Sequence, residues 1–171
     1  MNYLVLIIAL VLLLSIQTTF LRIVFPVNVV PDLILIVAVY SGIHSKKKVG
    51  IWLAALVGFS QDCLSGGLLG VNFLSKGIVG LFFCAIKDKI IVQGIIPISF
   101  FMFAASLVDG MIYFLAMTTL LGVHIKGNIL FPSIILFGVC NAVIAPLLFY
   151  MFDKARQYLY SKFPTQGFAS I

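Results

Sequence analysis

The sequence predicts an all-α integral membrane protein with about six transmembrane helices. The first observation is composition, because 63% of the residues are hydrophobic, only 9% are charged and the mean hydropathy is +1.23. A soluble globular domain carries about 25% charged residues, so this chain has too few to cover a surface that faces water. The second observation is length, since about 20 apolar residues span a bilayer. A chain of 171 residues then has little left over for any soluble domain.

Apolar runs separated by charges, glycines and prolines place the spans along a single polytopic domain. The first span has no Lys or Arg before its apolar run and no small-residue cleavage site after it, so we expect it to be retained. The second and third spans are short, and they either cross the membrane or form a re-entrant pair that dips from one face. The predicted spans are residues 3–21, 32–43, 49–64, 67–86, 95–118 and 129–152, followed by a tail of residues 153–171.

The basic residues predict the orientation in the membrane. When Lys and Arg are counted on alternate sides, eight fall on one face and two on the other. The positive-inside rule places the larger set, and with it both termini, in the cytoplasm. No basic patch is interleaved with aromatic residues, which argues against a nucleic-acid partner. The larger set is Lys46, Lys47, Lys48, Lys87, Lys89, Lys154, Arg156 and Lys162, and the smaller set is Arg22 and Lys126.

A stripe of small residues runs along the third span. Gly50, Ala54 and Gly58 recur every four residues and therefore share one helical face. Small residues at this spacing let another backbone approach closely where lipid supplies no hydrophobic driving force. The stripe is therefore a candidate surface either for helix packing within the chain or for a partner helix.

Five polar residues are candidate structural residues within or beside the spans: Asp62, Asn72, Lys76, Asp109 and Asn141. An ionisable group at the bilayer centre costs roughly 2.5–3.5 kcal/mol, so each needs a partner or water. Lys76 either snorkels to the outer interface or pairs with Asp62 or Asp109 inside the bundle. Asp62 lies near a helix end, where the outer face could solvate it, and Asn141 can cross-link helices.

Asp109 lies in the middle of its span, and we expect it to face inward with Ala105, Ser106 and Tyr113. Its functional interpretation is a ligand contact or proton relay, and its structural interpretation is an interhelical hydrogen bond. We favour the structural interpretation because no second carboxylate or His is apparent at a comparable depth.

No motif indicates an enzyme, a cofactor or a metal. The sequence lacks a GxSG serine with a His at membrane depth, a Walker motif, paired metal ligands and a carboxylate dyad. His44 and His124 fall in turns on opposite faces of the membrane, so they cannot share a metal ion. The three cysteines, Cys63, Cys84 and Cys140, show no paired spacing.

Several stretches resemble the bacterial rod shape-determining protein MreD family, and the likeness covers nearly the whole chain. Pro31-Asp32-Leu33 opens the second span, a basic turn follows, and glycines on the third span lead to Asp62 and the Leu69-Gly70 step. Near the C-terminus the passage NAVIAPLLFYMF, with Asn141 and Pro146, resembles the last span of that family.

The resemblance implies a non-enzymatic inner-membrane subunit of the cell-elongation (rod) machinery. Such a subunit is expected to bind MreC, to act with MreB, RodA and its partner penicillin-binding transpeptidase, and to help control cell shape and peptidoglycan synthesis. The implied fold is similar to the S component of energy-coupling-factor transporters. The stripe of Gly50, Ala54 and Gly58, called the glycine stripe below, would be one candidate surface for MreC. Asp62 and Asn72 would fix the geometry of the outer turn that follows the third span.

Two alternatives remain open at the level of the sequence. Six short spans with inward polar residues would suit a substrate-binding S component of a vitamin transporter, with a small-ligand pocket near the outer face. A proton-coupled carrier would require activity that depends on ionisation of Asp109.

Overall fold

The computed structural model describes residues 11–20, 30–65, 68–89, 92, 94–122 and 127–162, and these contain helices and turns but no strand. An N-terminal helical segment (residues 11–20) ends in a π-helical turn, Ile16–Phe20. Five α-helices follow: α1 (Leu33–His44), α2 (Lys47–Ser65), α3 (Val71–Ile86), α4 (Ile95–Leu121) and α5 (Gly127–Lys162). The all-helical class predicted from composition is confirmed.

The helices begin within a few residues of the predicted spans, but the last one ends later than predicted. α5 continues to Lys162, so the first part of the predicted tail is helical. Within the described ranges, two helices are long and apolar enough to cross a membrane, at Ile95–Leu120 and Leu130–Tyr158, whereas Leu33–His44 and Val71–Ile86 are apolar but shorter. Arg22, His124, Lys126, most of the first predicted span and residues 163–171 lie outside the described residues.

α1 is the central helix of the bundle. Its residues are hydrophobic on nearly every side, which is typical of a helix that is surrounded by protein. Its buried side chains form the main core together with residues of α3, α4 and α5. The core residues are Leu33, Leu35, Ile36, Val39, Val79, Phe83, Met102, Ala105, Ala145 and Phe149.

α1, α2 and α3 form a closely packed layer because glycines stand where the helices touch. A Cβ atom on Gly58 would collide with the backbone oxygen of Asn72, and one on Gly80 would collide with the Cβ of Ala54. A Cβ atom on Gly50 would lie 2.8 Å from the Sγ of Cys84. The chain's own α3 therefore occupies the face that Gly50, Ala54 and Gly58 present. The hypothesis that a partner helix docks on this stripe is wrong, because internal packing has already closed it.

α4 and α5 pack against each other beside this layer. A Cβ atom on Gly138 would lie 3.0 Å from the ring of Phe103, so the two helices are also in close contact. α5 stays helical through Pro132 and Pro146. The five described α-helices thus form a three-helix layer, α1–α3, with a helix pair, α4–α5, laid against it.

Candidate functional site

A cluster of polar side chains lies buried where the three-helix layer meets the helix pair. It draws residues from the turn before α1, from α3, from α4 and from α5, with glutamines of α2 and the N-terminal segment at its edge. Such groups are costly inside a membrane protein unless they satisfy one another. We call this set the polar cluster: Asp32, Asn72, Ser75, Lys76, Ser106, Asp109 and Asn141.

Lys76 occupies the centre of the polar cluster and is only 1% exposed. Its Nζ lies 2.8 Å from Oδ2 of Asp32 and 3.0 Å from Oδ1 of Asp109. It also donates to Oδ1 of Asn72 at 2.8 Å. Of the arrangements open at the sequence level, the structure shows the ammonium paired inside the bundle with Asp109 and not at an interface.

Asp32 joins the start of α1 to three other elements. Its Oδ1 caps α1 by accepting from the backbone N–H of Ile34 at 3.0 Å and of Leu35 at 3.1 Å, as N-cap carboxylates do. Its Oδ2 accepts from Gln61 Nε2 at 3.2 Å and contacts Lys76, and its backbone N–H donates to Oδ1 of Asn141 at 2.8 Å. Sequence reasoning treated Asp32 only as part of a span-opening motif and missed this role. The available signal was an Asp placed directly before an apolar run, which predicts a cap but not a distant partner.

The remaining members connect α3, α4 and α5. Asp109 accepts from the hydroxyl of Ser75 as well as from Lys76. Asn141 donates to Oγ of Ser106 at 2.9 Å, and Ser106 donates to the backbone oxygen of Met102 at 2.8 Å. Asp109 thus faces inward beside buried Ser106.

Tyr113 does not share the inward face that was expected to hold it. Its side chain is 44% exposed, whereas Ala105 and Asp109 on the same helix are buried. The side of α4 that buries Ala105 and Asp109 is therefore exposed one turn later, at Tyr113.

Asp62 lies outside the polar cluster and holds the start of α3. α3 begins after Gly70, which has a φ of +97° and no side chain to cap the helix. Oδ2 of Asp62 accepts from the backbone N–H of Gly70 at 3.0 Å and of Phe73 at 2.9 Å, and Oδ1 accepts from the backbone N–H of Asn72 at 3.1 Å and its Nδ2 at 2.9 Å. A carboxylate is well placed here because the N-terminus of a helix carries unpaired N–H groups and a partial positive charge. Solvation of Asp62 at the outer face is wrong because the residue is 1% exposed. Its carboxylate instead holds the turn before α3 through its bonds to Gly70 and Asn72.

The polar cluster can act chemically as a cross-link or as a carrier of protons. Two carboxylates, Asp32 and Asp109, share one ammonium. The expectation that Asp109 has no second carboxylate at its depth is therefore wrong, because the fold brings Asp32 next to the Lys76 that Asp109 contacts. Among the residues that the structure describes, no group of three His, Cys, Asp or Glu side chains is placed to hold a metal ion.

Comparison with known proteins gives one family. The family model for rod shape-determining protein MreD matches residues 1–156, which is most of the chain. No curated protein and no solved structure gives a significant match.

Proposed function

Because the chain belongs to the MreD family of rod shape-determining proteins and is thus a membrane component of the rod-shape machinery, we propose that it is a non-enzymatic, multi-pass inner-membrane subunit. In this proposal it binds MreC, which has one membrane span and a periplasmic domain. Through MreC it acts with MreB, RodA and the partner penicillin-binding transpeptidase to help control peptidoglycan synthesis. Both termini lie in the cytoplasm, as the distribution of Lys and Arg favours.

The observation that carries this proposal is the family match over residues 1–156. The polar cluster supports it, because the polar groups of Lys76, Asp32 and Asp109 contact one another inside the chain. Because these polar groups bind one another, they favour a rigid scaffold over a site that turns over a substrate. A partner span would then lie against an outward apolar surface, since the glycine stripe is closed.

The proposal is tested by purifying the tagged protein in mild detergent from its native membrane and identifying by mass spectrometry what accompanies it. We expect a bitopic protein with a periplasmic coiled coil and a β-rich domain. A tagged polytopic membrane protein of similar size from the same membrane, purified in parallel, is the control for non-specific capture. Recovery of a vitamin together with ATPase and transmembrane coupling subunits would overturn the proposal in favour of the S-component alternative.

One observation favours a second candidate, a proton-coupled carrier: two carboxylates contact a single buried ammonium. Buried ionisable residues within membrane spans, Asp among them, occur in the proton relays of pumps and transporters. An Asp109→Asn variant keeps a polar side chain of the same size but cannot ionise. If this variant is present in the membrane at the normal level and supports rod shape, the carrier function is excluded. If the variant accumulates normally but the cells lose rod shape, the result favours the proton-coupled carrier over the scaffold.

A further inference from the structure

Three separate parts of the chain meet at the end of the bundle opposite the polar cluster. The Nζ of Lys87, in the turn after α3, donates to the backbone oxygen of Ser45, in the turn between α1 and α2. The hydroxyl of Tyr40 donates to Oδ1 of Asp153 on α5 at 2.8 Å, and Nε2 of His44 lies 3.6 Å from the same oxygen. The α1–α2 turn, the turn after α3 and the C-terminal part of α5 are therefore neighbours.

This end is rich in exposed positive charge. Lys46 is exposed in the α1–α2 turn, Lys48 at the start of α2, Lys89 in the turn after α3 and Lys154 on α5. We call these four lysines the basic rim. Two acidic residues also lie at this end. Asp88 is exposed, and the carboxylate of Asp153 accepts a hydrogen bond from Tyr40 and lies close to His44. Positive charge is thus in excess at the surface.

Exposed aromatic residues lie just below the basic rim. Trp52 is 64% exposed and follows the start of α2 by about one and a half turns, and Tyr150 is 65% exposed and precedes Lys154 by about one turn. Trp and Tyr are enriched at the level of lipid headgroups. Lysines placed immediately beyond them reach the layer in which lipid phosphates lie.

From this arrangement we propose that the basic rim binds the phosphate headgroups of anionic phospholipid. Lysine suits this ligand because its ammonium is a mobile point charge on a long stem and does not require the fixed geometry that arginine uses. Each lysine near an anionic membrane surface strengthens binding roughly fivefold, so four lysines that act together would give clear selectivity for anionic over zwitterionic lipid. The proposal needs the chain to lie in a membrane but does not need the proposed protein partner.

The test is thermal unfolding of the purified full chain in detergent, with lipid added back. Phosphatidylglycerol is compared with phosphatidylcholine of the same acyl chains and with inorganic phosphate at the same concentration. We expect phosphatidylglycerol to raise Tm more than phosphatidylcholine, inorganic phosphate to have no effect, and added salt to reduce the difference because the contacts are exposed.

Two variants of the basic rim keep the test falsifiable. The variant K46Q/K48Q/K89Q/K154Q is expected to have an unchanged Tm without lipid and to lose the preference for phosphatidylglycerol. The matched control K46R/K48R/K89R/K154R keeps the charge and is expected to keep the preference. If the fourfold variant does not fold, the pairs K46Q/K48Q and K89Q/K154Q are each expected to reduce the preference in part.

Equal stabilisation by the two lipids, or an undiminished preference in the glutamine variants, would overturn the proposal. Co-purification of the protein partner by the fourfold glutamine variant reports on the function proposed above, and its outcome is independent of the lipid result.

Discussion

At the scale of single residues, Lys76 is the side chain whose removal we expect to cost the most. Replacing it by Met leaves the carboxylates of Asp32 and Asp109 buried without their shared cation. Breaking a buried ion pair by removing one partner typically costs about 3–5 kcal/mol. We expect Lys76→Met to lower Tm strongly, measured by loss of the helical circular dichroism signal on heating in detergent.

The control is Lys89→Met, an exposed lysine whose replacement is expected to change stability by no more than about 0.5 kcal/mol. The double variant Lys76→Met/Asp109→Asn tests the pairing itself. If the two residues are coupled, the double variant will be less destabilised than the sum of the single variants. Additive losses would mean that the contact between Lys76 and Asp109 contributes nothing.

Asp62 gives a second prediction at this scale. Asp62→Ala removes the acceptor for the backbone N–H groups of Gly70, Asn72 and Phe73, and we expect a loss of about 2 kcal/mol. Hydrogen exchange should accelerate first at these three amides. Asp62→Asn retains one acceptor oxygen and should cost less, and equal protection in wild type and Asp62→Ala would contradict the capping role.

The sequence predicts only some of these contacts. The cost of an ionisable group in a membrane requires Lys76 and Asp109 to be partnered or solvated. It does not single out Asp32, because that contact joins residues far apart in the chain and depends on how α1 and α3 pack. Asp62 was placed correctly near a helix end, but only the turn at Gly70 determines that the carboxylate folds back onto α3.

At the scale of elements, the contact between α2 and α3 depends on the absence of side chains at glycine positions. A Cβ on Gly80 would collide with that of Ala54, whereas one on Gly77, nearly a full turn earlier, would lie 3.6 Å from the Cβ of Ala55, an ordinary contact distance. We therefore expect Gly80→Ala to cost about 1–3 kcal/mol through overpacking. Gly77→Ala should leave stability unchanged within about 1 kcal/mol.

Thermal unfolding of the two variants in the same detergent makes the comparison. Both changes add one methyl group to the same helix, so any difference reports the neighbour and not helix propensity. Equal Tm values for Gly77→Ala and Gly80→Ala would show that α2 and α3 are not in close contact.

The periodicity of small residues predicted a close helix contact but could not say with what. Gly50, Ala54 and Gly58 share a face by spacing alone, and spacing is the same for an internal neighbour and for a separate protein. The residues that decide the matter are Gly80 and Asn72 on α3, which meet this face from within the chain.

At the scale of the whole molecule, the proposed orientation can be tested with single cysteines in a variant that lacks the three native ones. Lys89 and Lys154 are exposed at the basic end, and Leu69 and Gly122 are exposed in other turns. A membrane-impermeant thiol reagent added to spheroplasts should label cysteines placed at Leu69 and Gly122. It should label cysteines at Lys89 and Lys154 only after the membrane is opened.

Labelling of all four positions from one side would contradict the arrangement of spans on which the positive-inside count rests. That count and the helical architecture follow from composition and hydropathy, which are properties of whole segments. The division into a layer, α1–α3, and a pair, α4–α5, was not predicted, because it depends on which helix faces find each other.

The shortness of α1 has a consequence for how the protein is made. Its 12 residues extend only about 18 Å, well below the thickness of a hydrocarbon core. A segment of that length is a poor substrate for release from the translocon into lipid by itself. Since α1 is enclosed by other helices, we infer that it stays beside the insertion channel until α2 and α3 emerge and that the three leave as a unit. A residue of α1 in a ribosome-bound chain that stops after α1 would then cross-link to the insertion channel, and the same residue in a chain that includes α3 would not.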